Sequence, residues 1–169
     1  YHRSLKGRAV GHDVAPRLVF VDGSWYHKGG RSGREEFQAG IGPRIIGAVH
    51  VDMDDLSALP DLFPDRNPKG LPHMLPPARL FAAFMDEYEI SKTDHVVVTG
   101  REGCFFTPRT WFLLRSMGHD PRRVHLMQGS VEEWEAKGGP VETGLKKVPR
   151  ARDLNLESEP EYQATEATN

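Results

Sequence analysis

The stretch that most constrains the fold is His95–Met117, where a short apolar strand, a tight loop and a helix follow one another. Val96–Val98 is β-branched, apolar and continuous, which predicts a buried strand. Gly100–Phe106 is the loop, which we call the central loop. A loop between a strand and a helix N-terminus can direct backbone N–H groups at a common centre, so this stretch predicts an anion cradle.

The helix after the central loop has clear end signals. Thr107 is a suitable N-cap and Pro108 a suitable first helical residue, while Gly118 predicts the C-terminal end. The apolar run at positions 111–114 predicts that the whole helix is buried.

The rest of the chain predicts an α/β fold with three layers, a central and mostly parallel sheet flanked by helices. Strands and helices alternate over short connections, which is typical of parallel sheets. Ligand sites in such sheets lie at the carboxyl ends of the strands, where the central loop falls. The other predicted strands are Leu18–Val21, Ile45–Val51 and Arg123–Met127, and the other predicted helices are Arg34–Ala39, Val131–Ala136 and one beginning at Pro77.

Three segments are expected from the composition along the chain: an extended arm at 1–16, one domain at 17–146, and a polar linker or tail at 147–169. The stretch Met53–Leu75 has no sustained period, so we expect it to be functional or pinned to a neighbour.

Bulk properties narrow the classes of function. The net charge of −2 argues against nucleic acid as a partner, and no apolar run approaches the ~20 residues of a membrane helix. The histidines show no metal-ligand spacing, so neither a metal nor a cofactor is expected. The single cysteine fits a reducing compartment, and the expectation is a soluble protein of the cytoplasm, mitochondrion or plastid.

Four short segments resemble the rhodanese-like family, and the resemblance extends in order over residues 18–142. It is closest to the first domain of the tandem thiosulfate and 3-mercaptopyruvate sulfurtransferases. The segments are Val21-Asp22-Gly23-Ser24-Trp25-Tyr26, Leu71-Pro72-His73-Met74-Leu75-Pro76, Pro108-Arg109-Thr110-Trp111-Phe112 and Gln128-Gly129-Ser130.

The resemblance implies a sulfur transfer in which a cysteine thiolate, the first residue after the central strand, carries the sulfur as a persulfide. Counting back from Pro108-Arg109 puts Gly100 at that position, so the nucleophile is expected to be absent. In these tandem enzymes the first domain is the non-catalytic half. The degenerate loop then comprises Gly100, Arg101, Glu102, Gly103, Cys104, Phe105 and Phe106.

Each of the other candidate residues near the loop has two possible roles. Cys104 is either a reactive thiol or, as we favour, a small buried hydrophobe. Arg101 and Arg109 could bind an anion, although for Arg109 a structural pairing with a carboxylate is favoured. Asp22 and Asp52 could be general bases, but are expected to hold loops through backbone N–H groups.

Further candidates lie outside the loop. Asp54, Asp55, Asp61 and Asp65 match no calcium loop, so a solvated loop is expected. His73 is expected to pack or bond locally. The three tryptophans, Trp25, Trp111 and Trp134, are expected in the core.

Two functions of different classes remain open at this point. In the first, the chain is the non-catalytic half of a tandem sulfurtransferase, and its partner is a second rhodanese domain. In the second, it is a catalytically inactive accessory subunit that binds other protein subunits in a larger complex. A sulfur-carrying domain that uses Cys104 is a third, less favoured reading.

Overall fold

A parallel four-stranded sheet forms the centre of the protein, of which the computed structural model describes residues 15–166. The order across the sheet is β3-β1-β4-β5, and each neighbouring pair is parallel. A separate antiparallel pair joins β2 and β6. The strands are β1 (Leu18–Asp22), β2 (Arg44–Ile45), β3 (Val49–His50), β4 (His95–Thr99), β5 (Val124–Leu126) and β6 (Val141–Glu142).

Helices cover both faces of the sheet. They are α1 (Gly33–Ala39), α2 (Ala78–Glu87), α3 (Thr107–Ser116) and α4 (Val131–Ala136), with a short 3₁₀ turn at Ala151–Asp153. The helix expected from Pro77 is α2, and it packs on the core through Leu80, Phe81, Phe84 and Met85, which are all buried.

Successive side chains of a strand point to opposite faces of the sheet, and this divides the core into two clusters. Val19 and Val21 of β1 pack into the larger cluster with α2 and α3, while Phe20 between them packs into the smaller cluster. That smaller cluster contains Phe37 of α1 and Val131 of α4. Because successive strand residues point to opposite faces, two core clusters mean three layers, which confirms the predicted α/β architecture.

The predicted strand over Ile45–Val51 is wrong. The chain forms two short strands there, β2 and β3, which belong to different sheets. Gly47 between them has a φ of +75°, a left-handed conformation that ends one strand and redirects the chain. Strand β6, the partner of β2, was not expected from the sequence.

Two details of α3 also differ from expectation. Phe106, not Thr107, holds the N-cap position, and no side chain caps this end of the helix. Phe112 is 50 % exposed, so the apolar run does not bury the whole helix. Leu113 and Leu114 face the core, and Phe112 points away from it.

The segment expected to be a polar linker or tail lies against the domain as far as residue 166. Val148, Ala151 and Tyr162 are all buried. The few apolar residues of this segment pack into the two core clusters, Val148 into the smaller one and Ala151 and Tyr162 into the larger one. The average composition of the segment does not reveal such contacts. Whether this segment links to a further domain stays a prediction, and the expected arm at 1–16 lies almost wholly outside the described residues.

Within residues 15–166, no helix combines the length and apolarity needed to cross a membrane.

Candidate functional site

The carboxyl ends of three parallel strands meet beneath the central loop. Asp22 ends β1, His50 ends β3 and Thr99 ends β4, and the loop begins directly after Thr99. Because the strands are parallel and in register, these residues reach the same edge of the sheet, as expected for an α/β fold.

Asp22 is the centre of a buried polar group at this edge. Its Oδ1 accepts the Ser24 N–H at 2.8 Å and lies 3.2 Å from Nδ1 of His50. Burial raises the pKa of Asp22, but the hydrogen bonds from His50 and Ser24 outweigh burial and hold the pKa below its usual range. Asp22 therefore organises the loop after β1, and Asp52 acts similarly by accepting the Asp54 N–H at 2.9 Å.

Arg101 turns inward towards this group. Its side chain is 3 % exposed, with Nε 3.9 Å from Oδ2 of Asp22 and Nη1 4.0 Å from Oε2 of Glu36. Nη1 also donates to the carbonyl of Ile41. Both carboxylates lie near the 4.0 Å limit of an ion pair, and Nε and Nη2 of Arg101 have no hydrogen-bond partner among residues 15–166. The binding of an external anion by Arg101 stays a prediction.

Gly100 has no room for a side chain. A Cβ added there would lie 2.1 Å from Oγ1 and 3.2 Å from Cβ of Thr107. Such a distance is far inside van der Waals contact, so the Thr107 side chain fills the volume that any side chain at position 100 would need.

Cys104 sits beside Thr107, half-buried. Oγ1 of Thr107 donates to Sγ at 3.4 Å, and the backbone N–H of Trp25 lies 3.4 Å from the same sulfur. Sγ is also 3.5 Å from the carbonyl oxygen of Trp25, as suits a protonated thiol that donates. The thiol therefore takes part in packing between the central loop and the segment after β1.

The protein itself occupies part of the expected anion cradle. The Arg101 N–H donates to Oγ of Ser24, and the Glu102 N–H donates to a carboxylate oxygen of Glu132 at 2.8 Å. The Cys104 N–H donates to the carbonyl of Arg101. Three loop N–H groups are thus occupied, one of them by an internal carboxylate.

Arg109 holds a neighbouring loop. Nη2 donates to the carbonyl oxygen of His73 at 2.8 Å, so its partner is a carbonyl and not the carboxylate that was expected. The guanidinium also lies 5.7 Å from the centre of the Phe112 ring. Burial lowers the pKa of Arg109.

A side-chain pair that sequence reasoning missed lies next to the central loop. Nε2 of His73 is 2.6 Å from Oδ1 of Asp54, and Nε1 of Trp25 donates to the other carboxylate oxygen at 2.7 Å. His73 has a φ of +56°, which is uncommon for a residue other than glycine. With Nε2–H donating to the carboxylate, Nδ1 is the ring nitrogen left to accept a hydrogen bond.

The signal for the pair was present in the sequence but incomplete. The segment Leu71–Pro76 marked His73, whereas Asp54 lies 19 positions earlier in a loop with no regular pattern. Only the tertiary structure brings the two together.

Trp25 and, beyond it, Phe106 lie beside this pair. Together with the exposed Phe105 of the same loop and Phe112 of α3 we call them the aromatic face. Trp25 contacts His73 and Phe106 edge to face, each with ring centroids 4.8 Å apart. Phe105 is 87 % exposed and Phe112 50 % exposed. Trp25 therefore belongs to this surface and not to the core, where the sequence analysis expected it.

Two other aspartates of the Met53–Leu75 loop pair with different arginines. Asp55 lies 3.3 Å from Nη1 of Arg34, and Asp61 pairs with Arg152. Among the described residues, no group of three or more His, Cys, Asp or Glu side chains is placed to hold a metal ion.

The sequence signature of the Rhodanese-like domain matches residues 30–137, which include the central loop and all four α-helices. The chain belongs to the rhodanese-like family. It is 30 % identical over 139 residues to a probable 3-mercaptopyruvate sulfurtransferase of Schizosaccharomyces pombe, covering 82 % of this chain. It is 35 % identical over 129 residues to the mitochondrial thiosulfate/3-mercaptopyruvate sulfurtransferase 1 of Arabidopsis thaliana, covering 76 % of this chain.

Among solved structures, the Escherichia coli 3-mercaptopyruvate sulfotransferase SseA matches 89 % of this chain with a TM-score of 0.64 and 25 % identity. The matched region is 50 % of that chain. It is 42 % of the Schizosaccharomyces pombe protein and 31 % of the Arabidopsis thaliana protein. The matched region thus spans half or less of the length of each of these relatives.

Proposed function

We propose that this chain is the non-catalytic rhodanese domain of a two-domain sulfurtransferase. The whole protein would transfer sulfur from thiosulfate or 3-mercaptopyruvate to a thiol or cyanide. One observation carries the proposal: the volume at Gly100, the position expected for the nucleophile, is filled by Thr107. A cysteine at position 100 could be accommodated only if the side chain of Thr107 moved.

The lengths of the relatives support a missing catalytic partner. Their sequences are two to three times as long as the matched region, which leaves room for at least one more domain of this size.

The aromatic face is the surface that such a partner would cover. Phe105, at 87 % exposure, presents a large apolar side chain to water, and contiguous exposed apolar residues mark interaction sites. An accessory subunit of a larger complex would use the same surface, and this is the alternative function.

The His73–Asp54 pair is what this domain would contribute to the chemistry. Nδ1 of His73 would take the proton of an acceptor thiol. The resulting thiolate would attack the outer sulfur of a persulfide on the partner domain. The sulfur–sulfur bond would break, and the cysteine thiolate of the partner would leave.

Two measurements test this function. The chain alone, incubated with thiosulfate and cyanide, is expected to form no thiocyanate. The native polypeptide is expected to have an intact mass well above the 19.0 kDa of these 169 residues. Thiocyanate formed by the chain alone would contradict the missing nucleophile. A native mass equal to 19.0 kDa would support the accessory subunit instead.

The contribution of the pair is tested in the complete two-domain protein. His73→Gln and Asp54→Asn are each expected to slow sulfur transfer to a thiol while persulfide formation on the partner domain continues. The control is His27→Gln, because His27 also lies beside the Trp25 ring, with centroids 5.9 Å apart. Equal rates in all three variants and the wild type would remove the pair from the reaction.

A further inference from the structure

The last described residues cross the helical layer as a strap, which we define as Glu161–Glu166. Asp86 of α2 accepts two backbone N–H groups of the strap, from Glu161 at 2.7 Å and from Tyr162 at 2.9 Å. Thr165 donates its N–H to the carbonyl of Met117 at 3.0 Å. The strap is therefore tied to both α2 and the end of α3.

One side chain anchors the strap in the core. Tyr162 is 4 % exposed, and its ring lies edge to face against Phe81, with centroids 5.7 Å apart. Its hydroxyl lies 2.9 Å from Nδ1 of His119, which is itself 1 % exposed. A buried tyrosine ordinarily needs a partner for its hydroxyl, and here that partner is a titratable ring.

The hydrogen bonds of His119 fix its protonation. Nε2 lies 2.9 Å from the carbonyl oxygen of Asp94, which can only accept, so Nε2 carries the proton. Nδ1 is then an acceptor, and the Tyr162 hydroxyl donates to it. A second proton on His119 would make Nδ1 a donor, so the Tyr162 hydroxyl could only accept from it. The O–H of Tyr162, which is 4 % exposed, would then lose its acceptor, and the buried ring of His119 would carry a charge.

Gly118 lets the strap approach. It has a φ of +88°, and a Cβ there would lie 2.4 Å from Oγ1 of Thr165. A glycine is needed at this position both for the left-handed backbone and for the close contact. The fold is thus adapted to the docked strap, and the strap is not a chance contact of a loose tail.

We propose that the strap is a pH-dependent latch, docked while His119 is neutral and released when His119 gains a proton. The latch does not depend on the proposed sulfurtransferase function. Its release would free Glu161–Glu166 and uncover Phe81 and Met117 between α2 and α3.

The charges around His119 give the direction of the effect. The charged groups around His119 are the carboxylates of Asp86, Asp94 and Asp120 and the ammonium group of Lys92. Carboxylates and ammonium groups ordinarily keep their charge between pH 7.5 and 5.5, so the change in this range falls on the histidine. Burial lowers the pKa of His119 despite the carboxylates of Asp94 and Asp120, while Lys92 lowers it further.

The sign of the pH dependence follows from this shift. Release exposes His119 to water, which returns its pKa towards the ordinary value of about 6.5. The released state therefore binds the proton more tightly than the docked state. Docking is fully favourable above that value and weakens as the pH falls below it.

Amide exchange measured by NMR on the protein tests the latch. The N–H groups of Glu161, Tyr162 and Thr165 are expected to be protected at pH 7.5 and to lose protection at pH 5.5, after correction for intrinsic exchange. The N–H groups of Val96 and Val98 in β4 should stay protected at both values, which excludes global unfolding.

Variants separate the latch from general effects of pH. His119→Gln should abolish the pH dependence, and His125→Gln, a control at an exposed histidine of β5, should keep it. Tyr162→Phe removes one hydrogen bond, and is expected to lower the protection of Thr165 about fivefold at pH 7.5. Constant protection of the wild-type strap between the two pH values would overturn the proposal. So would pH dependence that persists in His119→Gln, or unchanged protection in Tyr162→Phe.

Discussion

At the scale of single residues, Gly100 and Thr107 compete for one small volume at the start of the central loop. Gly100→Ala is expected to lower the free energy of unfolding by about 1–3 kcal/mol, because the added Cβ overpacks the site and forces the Thr107 side chain out of its place. Thr107→Ala in the same chain should recover most of this loss, since it removes the oxygen 2.1 Å from the added Cβ.

Urea denaturation of the two single variants and the double variant measures this coupling. Additive losses in the double variant would show that the two residues do not share the volume. They would also weaken the conclusion that Thr107 leaves no room for a nucleophilic side chain at position 100.

Asp22 makes the stability of the protein depend on pH. Its pKa is held below the ordinary value of 3.8 in the folded state, so the unfolded chain binds the proton more readily. The stabilisation is present above the unfolded value and is lost as the pH falls through the folded one. The free energy of unfolding of the wild type should therefore decline more steeply below pH 5 than that of Asp22→Asn.

Denaturation series from pH 7 to pH 3 compare these slopes, with Asp65→Asn as a control at an exposed aspartate. A wild-type slope no steeper than that of Asp22→Asn would contradict the assignment.

At the scale of elements, the long Met53–Leu75 loop is held by its own buried polar side chain. Asn67 is 2 % exposed and makes three hydrogen bonds, to the carbonyls of Ala58 and Leu71 and from the Leu71 N–H. These bonds close the loop on itself, and the bond from Arg109 of α3 to the carbonyl of His73 pins it to a neighbour, one of the two outcomes expected from its sequence.

Asn67→Ala is expected to destabilise the protein by about 2–3 kcal/mol, because buried backbone groups lose their partners. Hydrogen exchange of the peptide over 53–75 should rise, whereas Lys69→Ala, an exposed change in the same loop, should leave it unaltered. If the hydrogen exchange of this peptide is the same in both variants, then residues other than Asn67 hold the loop in place.

At the scale of the whole molecule, the aromatic face should matter for partner binding and not for folding. Phe105→Ser is expected to leave the melting temperature of this chain unchanged, since the side chain is 87 % exposed. In the complete native protein it should lower thiocyanate production, because the partner domain loses an apolar contact.

Leu145→Ser supplies a matched control, because Leu145 is 89 % exposed on another part of the chain. This variant should change neither quantity. Equal activity in the two variants would place the partner on a different surface.

The sequence by itself determined the features that depend on neighbours along the chain. The β-branched run of β4, the glycine after it and the proline near the start of α3 predicted the strand, the loop and the helix correctly. The same short segments predicted the family, because motifs are local and need no knowledge of packing. That Gly100 stands in the place of the nucleophile stays a prediction.

Only the tertiary structure decided the features that join distant residues. Asp22 and Arg101 meet under the loop, His73 reaches Asp54, and Tyr162 enters the core beside His119. The tail looked solvated because its average composition is polar, yet a few well-spaced apolar side chains suffice to dock it. Which long-range partner a polar or isolated apolar side chain finds is set by the packing of the whole sheet, and no local pattern encodes it.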